Sequence, residues 1–414
     1  MPIKSFKIYT LGCKVNQCDS RNLKGHLLCY KLEEKDKGAD LIIVNTCAVT
    51  KTAIKKDKRM IKKARLENPG SSLVIMGCWP QAYQEDLESV KADLLWGSGR
   101  ISELGFKIAC QFGLKKNEVK ENHLNPENRT RYFIKIQDGC EQFCSYCIIP
   151  YTRGALKSRP FPEVEREFRE AVSSGFQEII LTGIHLGLYG VESEKSLKLT
   201  GLLKKLVKAE GLGRIRLSSI EVTETRPELI DLIKSSEKIC PHLHIPLQSG
   251  SDKILNLMNR PYSTSFFRKK IKDIRSRIPE VAVSTDVIVG FPGETERDFK
   301  KTLDFVKEIG FSRLHIFPFS PHPQTPAADL KGEVSDEEKK NRTLILKDTG
   351  KKLEKDFRQN FKGKVLHPLV EKISGERARG KTEYYFDLDF SLKNSRVKEE
   401  RGEEFLGKIF SIKN

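Results

Sequence analysis

The sequence predicts an α/β protein with an N-terminal open α/β sheet domain, a central partial (β/α)6 barrel and a small C-terminal β-barrel. Three observations carry this. Short apolar runs alternate with amphipathic helical stretches over most of the chain, a polar Asn-rich interval interrupts the alternation at 111–131, and strand-like alternation replaces it in the tail. With 414 residues the chain exceeds one ordinary core, and the expected boundaries are 1–118, 126–355 and 356–414.

In the first domain, residues 6–11 alternate like a strand, and 41–44 and 73–76 are short apolar runs. Each run is followed within a few residues by a cysteine: Cys13, Cys47 and Cys78. Residues 52–67 read as a helix with Ala53, Met60, Ile61 and Ala64 on one face and Lys55, Lys56, Lys58, Arg59, Lys62, Lys63 and Arg65 around the rest. That basic face reads first as a solvated surface and second as a phosphate contact. Strands alternating with helices imply a parallel sheet, and ligands of such sheets gather beyond the carboxyl ends of the strands. Three cysteines just past three strands are therefore expected to converge. Three buried core thiols are the alternative, although core cysteines fall within strands more readily than past them.

After the polar linker, candidate strands are 132–137, 178–182, 214–218, 242–245, 281–289 and 313–317. Between them, 162–174 places Val164, Phe168, Ala171 and Val172 on one helical face and stops at Gly175. Likewise 295–309 places Phe299, Leu303 and Val306 on one face, carries acidic residues in its first turn and stops at Gly310. Six such units make a partial barrel, whose active site belongs at the C-terminal strand ends.

Just past the first of these strands lies Gly-Cys-Glu-Gln-Phe-Cys-Ser-Tyr-Cys, in which Cys140, Cys144 and Cys147 are spaced C-x3-C-x2-C with Tyr146 before the last thiol. Three thiolates leave a metal centre with one open position. Zinc would require a fourth ligand, and Cys240 could supply it only through the fold. A cubane of iron and sulfide suits three thiolates better, because one iron stays free to bind a substrate or cofactor.

The tail begins with a charged helix at 336–360. It continues with strand-like segments 364–373, 384–390 and 406–412, joined by connections such as 374–381. A small RNA-holding β-barrel and an appended edge hairpin both fit this pattern. The net charge of +18 and pI near 9.3 suit a protein that meets a polyanion. The N-terminus lacks the apolar core of a signal peptide, and no apolar run approaches membrane length, so a cytoplasmic protein with no membrane partner is expected. In that reducing compartment ten cysteines suit metal ligation or burial better than disulfides.

These segments together resemble the methylthiotransferases of the radical S-adenosylmethionine (SAM) superfamily. QDGCEQFCSYCIIPYTRG, EIILTGIHLGLYG, LSSIEVTE, HLHIPLQSGSDKIL, TDVIVGFPGET and FPFSPHPQTPA occur in the family's order. TLGCKVNQ, VNTCAVT and GCWPQ resemble the family's own N-terminal domain, and the basic tail resembles its TRAM domain. GCKVNQ and FPFSP are most similar to the branch that acts on N6-threonylcarbamoyladenosine beside the tRNA anticodon. Departures from the pattern are Cys18 in place of an aromatic, Val222 in place of Pro, Trp79-Pro80 in place of smaller residues, and His322 and Gln324 in place of Arg and Gly.

The resemblance implies two 4Fe-4S clusters, one on Cys140, Cys144 and Cys147 and an auxiliary one on Cys13, Cys47 and Cys78. It also implies SAM as both radical source and methyl donor, and tRNA and a one-electron donor such as flavodoxin or ferredoxin as partners. Thr182 and Gly183 are expected near the amino group of SAM, Glu221 and Gln248 near its amino acid or ribose, and Ile288 with Tyr146 near its adenine. For Glu221 a buried ion pair with Arg216 or a barrel lysine is the competing expectation. His242 and His244 read as satisfied barrel residues, and Cys18, Cys29, Cys110 and Cys240 as structural thiols. The same chemistry on isopentenyl-adenosine or on a ribosomal protein, and a non-catalytic iron-sulfur RNA-binding or redox-sensing protein, are the rival readings.

Overall fold

The computed structural model describes residues 3–115, 130–194, 196–392 and 405–414. The chain divides into two compact units, one of residues 1–125, 138–156 and 320–328 and the other of residues 126–137, 157–319 and 329–414. Most of the expected linker at 111–131 lies outside the described residues.

The first unit is built on five parallel strands: β1 (Ser5–Thr10), β2 (Glu33–Glu34), β3 (Leu41–Thr46), β4 (Ser72–Gly77) and β5 (Leu94–Trp96), in the order β2-β1-β3-β4-β5. β3 is central and buried on both faces, which its near-continuous apolar run requires. Ile42 and Val44 join one core with Ile61, Ala64 and Trp79. Leu41 and Ile43 join the other with Leu23, Leu27, Leu104 and Ile108. Four helices cover the sheet: α1 (Lys14–Leu28), α2 (Lys51–Glu67), α3 (Cys78–Ala82) and α4 (Ile101–Gln111). The lysines and arginines expected on the outer face of α2 are exposed, while Asp57 is turned into the core beside Ile61 and Ala64. The order of strands reverses direction between β1 and β3, and such a switch point is where open α/β sheets bind ligands.

In the second unit, β6 (Arg131–Lys135), β7 (Glu178–Thr182) and β8 (Arg214–Leu217) form one parallel ladder, and β9 (His242–His244), β10 (Ala282–Val289) and β11 (Arg313–Pro318) form another. Parallel bridges Ile215 to Ile239 and Ser219 to His244 join the ladders, so six strands follow one another in chain order as a partial barrel requires. The helices between them begin and end where the sequence indicates. Thr295 and Asp298 cap Glu296–Ile309 reciprocally, and Gly310, at φ 63°, ends it.

The tail departs from its sequence reading. Arg377–Lys381, expected as a connection, is the middle strand of a three-stranded antiparallel sheet with Leu369–Ser374 and Asp387–Ser391. Its charges concealed it: Arg377 and Arg379 are exposed while Ala378 and Gly380 face inward, so the period-2 pattern rests on two small residues. Val365–Leu366 pairs with Ile412–Lys413, and of the expected 406–412 strand only Ile412 lies in that ladder.

Candidate functional site

β1, β3 and β4 deliver Cys13, Cys47 and Cys78 just past their carboxyl ends. Cys78 opens α3, and Gly77 before it lies at φ 104° and ψ −155°, a region open only to glycine. A Cβ on Gly77 would stand 2.5 Å from the Thr46 carbonyl, so β4 reaches its cysteine by passing directly over the end of β3. A Cβ on Gly12 would meet the Cys47 Cβ at 3.0 Å, which sets the turn carrying Cys13 against Cys47.

Asn16 joins these turns. Its Nδ2 donates to the carbonyls of Leu11 at 3.0 Å and Thr46 at 2.8 Å, and its Oδ1 faces the Cys13 Sγ at 3.7 Å. Burial pushes the Cys47 thiol up to about 12, and Cys78 and Cys13 nearby add to the rise. Burial also raises the Cys78 thiol, with Arg153 acting against it. Protein groups alone therefore disfavour the thiolates of Cys47 and Cys78, and a thiophilic metal group is what would favour them. Among the described residues no three His, Cys, Asp or Glu side chains are grouped as ligands of a single ion, the arrangement a zinc site requires. The donor set fits an iron-sulfur group.

Cys140, Cys144 and Cys147 lie on a loop of the same unit. Cys144 is buried and its two neighbours are half-buried. Tight hydrogen bonds shape the loop: Cys140 N donates to Gly154 O at 3.1 Å and Cys147 N to Cys144 O at 2.9 Å. Phe143, at φ 48°, takes the left-handed turn between the first two thiols and is exposed. Tyr146 is half-buried beside Cys147.

Sequence reasoning missed Arg153. It ends the short helix Ile149–Arg153 after the loop, and its guanidinium is 1% exposed. NH1 donates to both Asp138 oxygens at 3.0 Å, and NH2 donates to Asn16 Oδ1 at 2.6 Å. Asp19 Oδ2 is 3.3 Å from both. Burial opposes its charge, yet the Asp138 and Asp19 carboxylates hold it firmly protonated. The nearness of Tyr-Thr-Arg-Gly to the loop was the one available signal.

The departures at Trp79, His322 and Gln324 are accommodated together. Trp79 is fully buried in the core around β3. His322 Nε2 donates to Val49 O at 2.9 Å, so its Nδ1 accepts from the Tyr83 hydroxyl at 2.7 Å, and burial lowers its pKa. Gln324 Nε2 donates to Ala82 O at 2.5 Å.

The expected SAM residues of the second unit lie at the carboxyl ends of its strands. Thr182 ends β7 and Gly183 follows it, a Cβ there meeting Gln137 Oε1 at 2.9 Å. Gln248, at φ 66°, receives the Ile288 N–H at 2.9 Å, which brings that expected pair together. Glu221 follows β8 and pairs with Arg260 instead of Arg216, which is held by Glu178. Burial raises its carboxyl against the pull of Arg260. His242 Nε2 and His244 Nδ1 each lie 3.0 Å from Ser284 Oγ, and His244 Nε2 is 3.2 Å from Asp286. The two histidines thus share the Ser284 hydroxyl within the barrel. Of the remaining cysteines Cys18, Cys29 and Cys240 are buried, whereas Cys110 is exposed on α4 and packs no core.

Residues 134–306 match the radical SAM superfamily, and residues 5–97 match a family described as uncharacterized protein family UPF0004. A threonylcarbamoyladenosine tRNA methylthiotransferase MtaB of Thermotoga maritima is 38% identical over 94% of this chain and 92% of its own length. One of Bacillus subtilis is 35% identical over 98% and 92%. A tRNA-2-methylthio-N(6)-dimethylallyladenosine synthase of Carboxydothermus hydrogenoformans is 33% identical over 100% and 97%. Among solved structures, the radical SAM methyltransferase TsrM of Kitasatospora setae shares the fold, with TM-score 0.58 and 14% identity over 79% of this chain and 77% of its own. No helix among the described residues is long and apolar enough to cross a membrane.

Proposed function

The chain belongs to the radical SAM methylthiotransferases that act on tRNA, and from that premise we propose that it 2-methylthiolates N6-threonylcarbamoyladenosine, using two 4Fe-4S clusters. The observation that carries this reading is the placement of Cys13, Cys47 and Cys78 at three parallel strand ends, in the same unit as the C-x3-C-x2-C loop. An enzyme that only generated a radical would need the loop alone. The relatives named for threonylcarbamoyladenosine, at 38% and 35% identity, favour that base over dimethylallyladenosine.

When bound, the clusters and SAM supply the one-electron and methyl-transfer chemistry by which an adenine C2–H, neither acidic nor electrophilic, gives way to a CH3S group. The six cysteines hold the clusters. Thr182, Gly183, Glu221, Gln248 and Ile288 of the second unit would orient SAM, and the Glu221–Arg260 pair fixes the carboxylate it presents. The basic tail is read as a TRAM-like domain at 356–414 that binds tRNA phosphates, beside domains at 1–118 and 126–355.

Mass spectrometry of tRNA nucleosides from cells with and without the gene tests the substrate. Loss of 2-methylthio-N6-threonylcarbamoyladenosine on deletion is expected. If the isopentenyl derivative is lost instead, the substrate assignment is wrong. With SAM and dithionite alone the reconstituted protein is expected to release 5′-deoxyadenosine, which a redox-sensing RNA-binding protein would not do.

A further inference from the structure

Arg153 is bound into the first unit by more groups than an ion pair needs. It lies six residues beyond Cys147, and its NH1 grips Asp138, two residues before Cys140. The guanidinium thereby closes both ends of the loop that carries Cys140, Cys144 and Cys147. Its NH2 meets the same Asn16 Oδ1 that faces the Cys13 sulfur, and its helix packs on α3, which opens with Cys78. One buried cation thus lies against two of the three strand-end thiols and the loop.

The pairing is incomplete in one respect. Arginine has five N–H donors in a rigid fork. NH1 and NH2 are engaged by Asp138, Asp19 and Asn16, while the Nε–H is buried without a hydrogen-bond partner. An unmet donor on a buried charge is costly, so a further acceptor beside it would be favoured, and the guanidinium already hydrogen-bonds the Cys78 side chain. The charges are also unbalanced, with two carboxylates on one guanidinium before any thiolate is counted. Reduction potentials of iron-sulfur groups depend on local net charge and on hydrogen bonds to sulfur.

We propose that Arg153 is a positioning residue for the auxiliary cluster, supplying the local positive charge and a hydrogen bond to sulfur that together raise its reduction potential. The inference rests on the two-cluster reading above. It assigns Arg153 no contact with the tRNA base and no part in generating the radical.

The test uses the full chain with Cys140, Cys144 and Cys147 replaced by Ala, so that one cluster is present, reconstituted anaerobically and titrated with EPR detection. Arg153→Gln removes the charge, and Arg153→Lys keeps the charge but not the fork. The midpoint potential is expected to fall in the order parent, Lys variant, Gln variant, while iron content stays at about four per chain. Equal potentials in the three proteins at full iron load overturn the proposal, since a merely structural ion pair would change stability alone. If the Gln variant fails to hold iron, the Lys variant decides: a lower potential than the parent supports the proposal, and an unchanged one overturns it. A parent that binds no iron overturns the two-cluster reading and the proposal with it, whereas a loaded parent with unchanged variants overturns the proposal alone.

Discussion

A guanidinium–carboxylate network is buried in each unit, and the two are built in opposite proportions. In the first unit one guanidinium, Arg153, faces two carboxylates, Asp19 and Asp138. In the second one carboxylate, Glu178, faces two guanidiniums: Arg214 Nε donates to it at 2.5 Å and Arg216 Nε at 2.9 Å. The donors left over on that pair are spent on the backbone of the tail. Arg214 reaches the carbonyls of His367 and Lys381, Arg216 those of Thr382 and Glu383, and Tyr385 lies 4.9 Å from the Arg216 guanidinium. The Glu178 network is closed and fastens the tail to the barrel strands, whereas the Arg153 network keeps an unmet N–H beside the thiols. These two networks differ in completeness of hydrogen bonding more than in burial.

Breaking the closed network is expected to have the largest effect. Glu178→Gln leaves two buried guanidiniums without an anion and is expected to lower stability by about 3–5 kcal/mol, read from urea denaturation at pH 7. Burial acts to raise the Glu178 carboxyl, but Arg216 and Arg214 more than offset it and hold it below the usual range. A depressed carboxyl stabilises above its unfolded value near 4.5, and that stability is lost as pH falls toward the folded value. The gap between wild type and variant should therefore be full at pH 7 and narrow below about pH 4. A gap that widens with acid would mean that Glu178 is not the ionised partner.

Neither network was legible in the sequence, and the reason is separation. Glu178 and Arg216 are 38 residues apart, Arg153 and Asn16 137. Local periodicity carries no record of which distant charges meet, and the competing expectation for Glu221, a pair with Arg216 or a barrel lysine, accordingly did not name Arg260. What was legible had a local cause. The strand ends bearing Cys13, Cys47 and Cys78, the barrel strands and the helix stops at Gly175 and Gly310 follow from apolar runs, turn residues and caps. Arg377–Lys381 was missed because its inward positions are Ala378 and Gly380, which carry too little hydrophobic signal to mark a strand.

The open network should respond differently to loss of one anion. Asp138→Asn keeps an acceptor for NH1 and leaves Asp19 to balance the guanidinium, so a loss of only about 1–2 kcal/mol is expected. On the proposed two-cluster reading, the auxiliary cluster's potential should rise in this variant, opposite in sign to Arg153→Gln, because a negative charge has been removed beside the same thiols. A loss as large as that at Glu178, with no change of potential, would make the two networks equivalent and remove the distinction drawn between them.

The smallest effect is expected where geometry is best and burial is least. Arg379 and Asp389, paired across the antiparallel strands of the tail, meet through two parallel hydrogen bonds of 2.8 Å, a fork as good as any at Glu178. Both side chains are about half exposed, at 56% and 48%, so water and salt screen the pair and compete for the same groups. Arg379→Ala should leave the denaturation midpoint unchanged. If the tail meets tRNA through its basic surface, the same variant should weaken tRNA binding and flatten its dependence on salt by roughly one ion, as loss of a phosphate contact does. A clear drop in stability would show that fork geometry outweighs burial here, and the contrast between Glu178 and Arg153 would then need a different explanation.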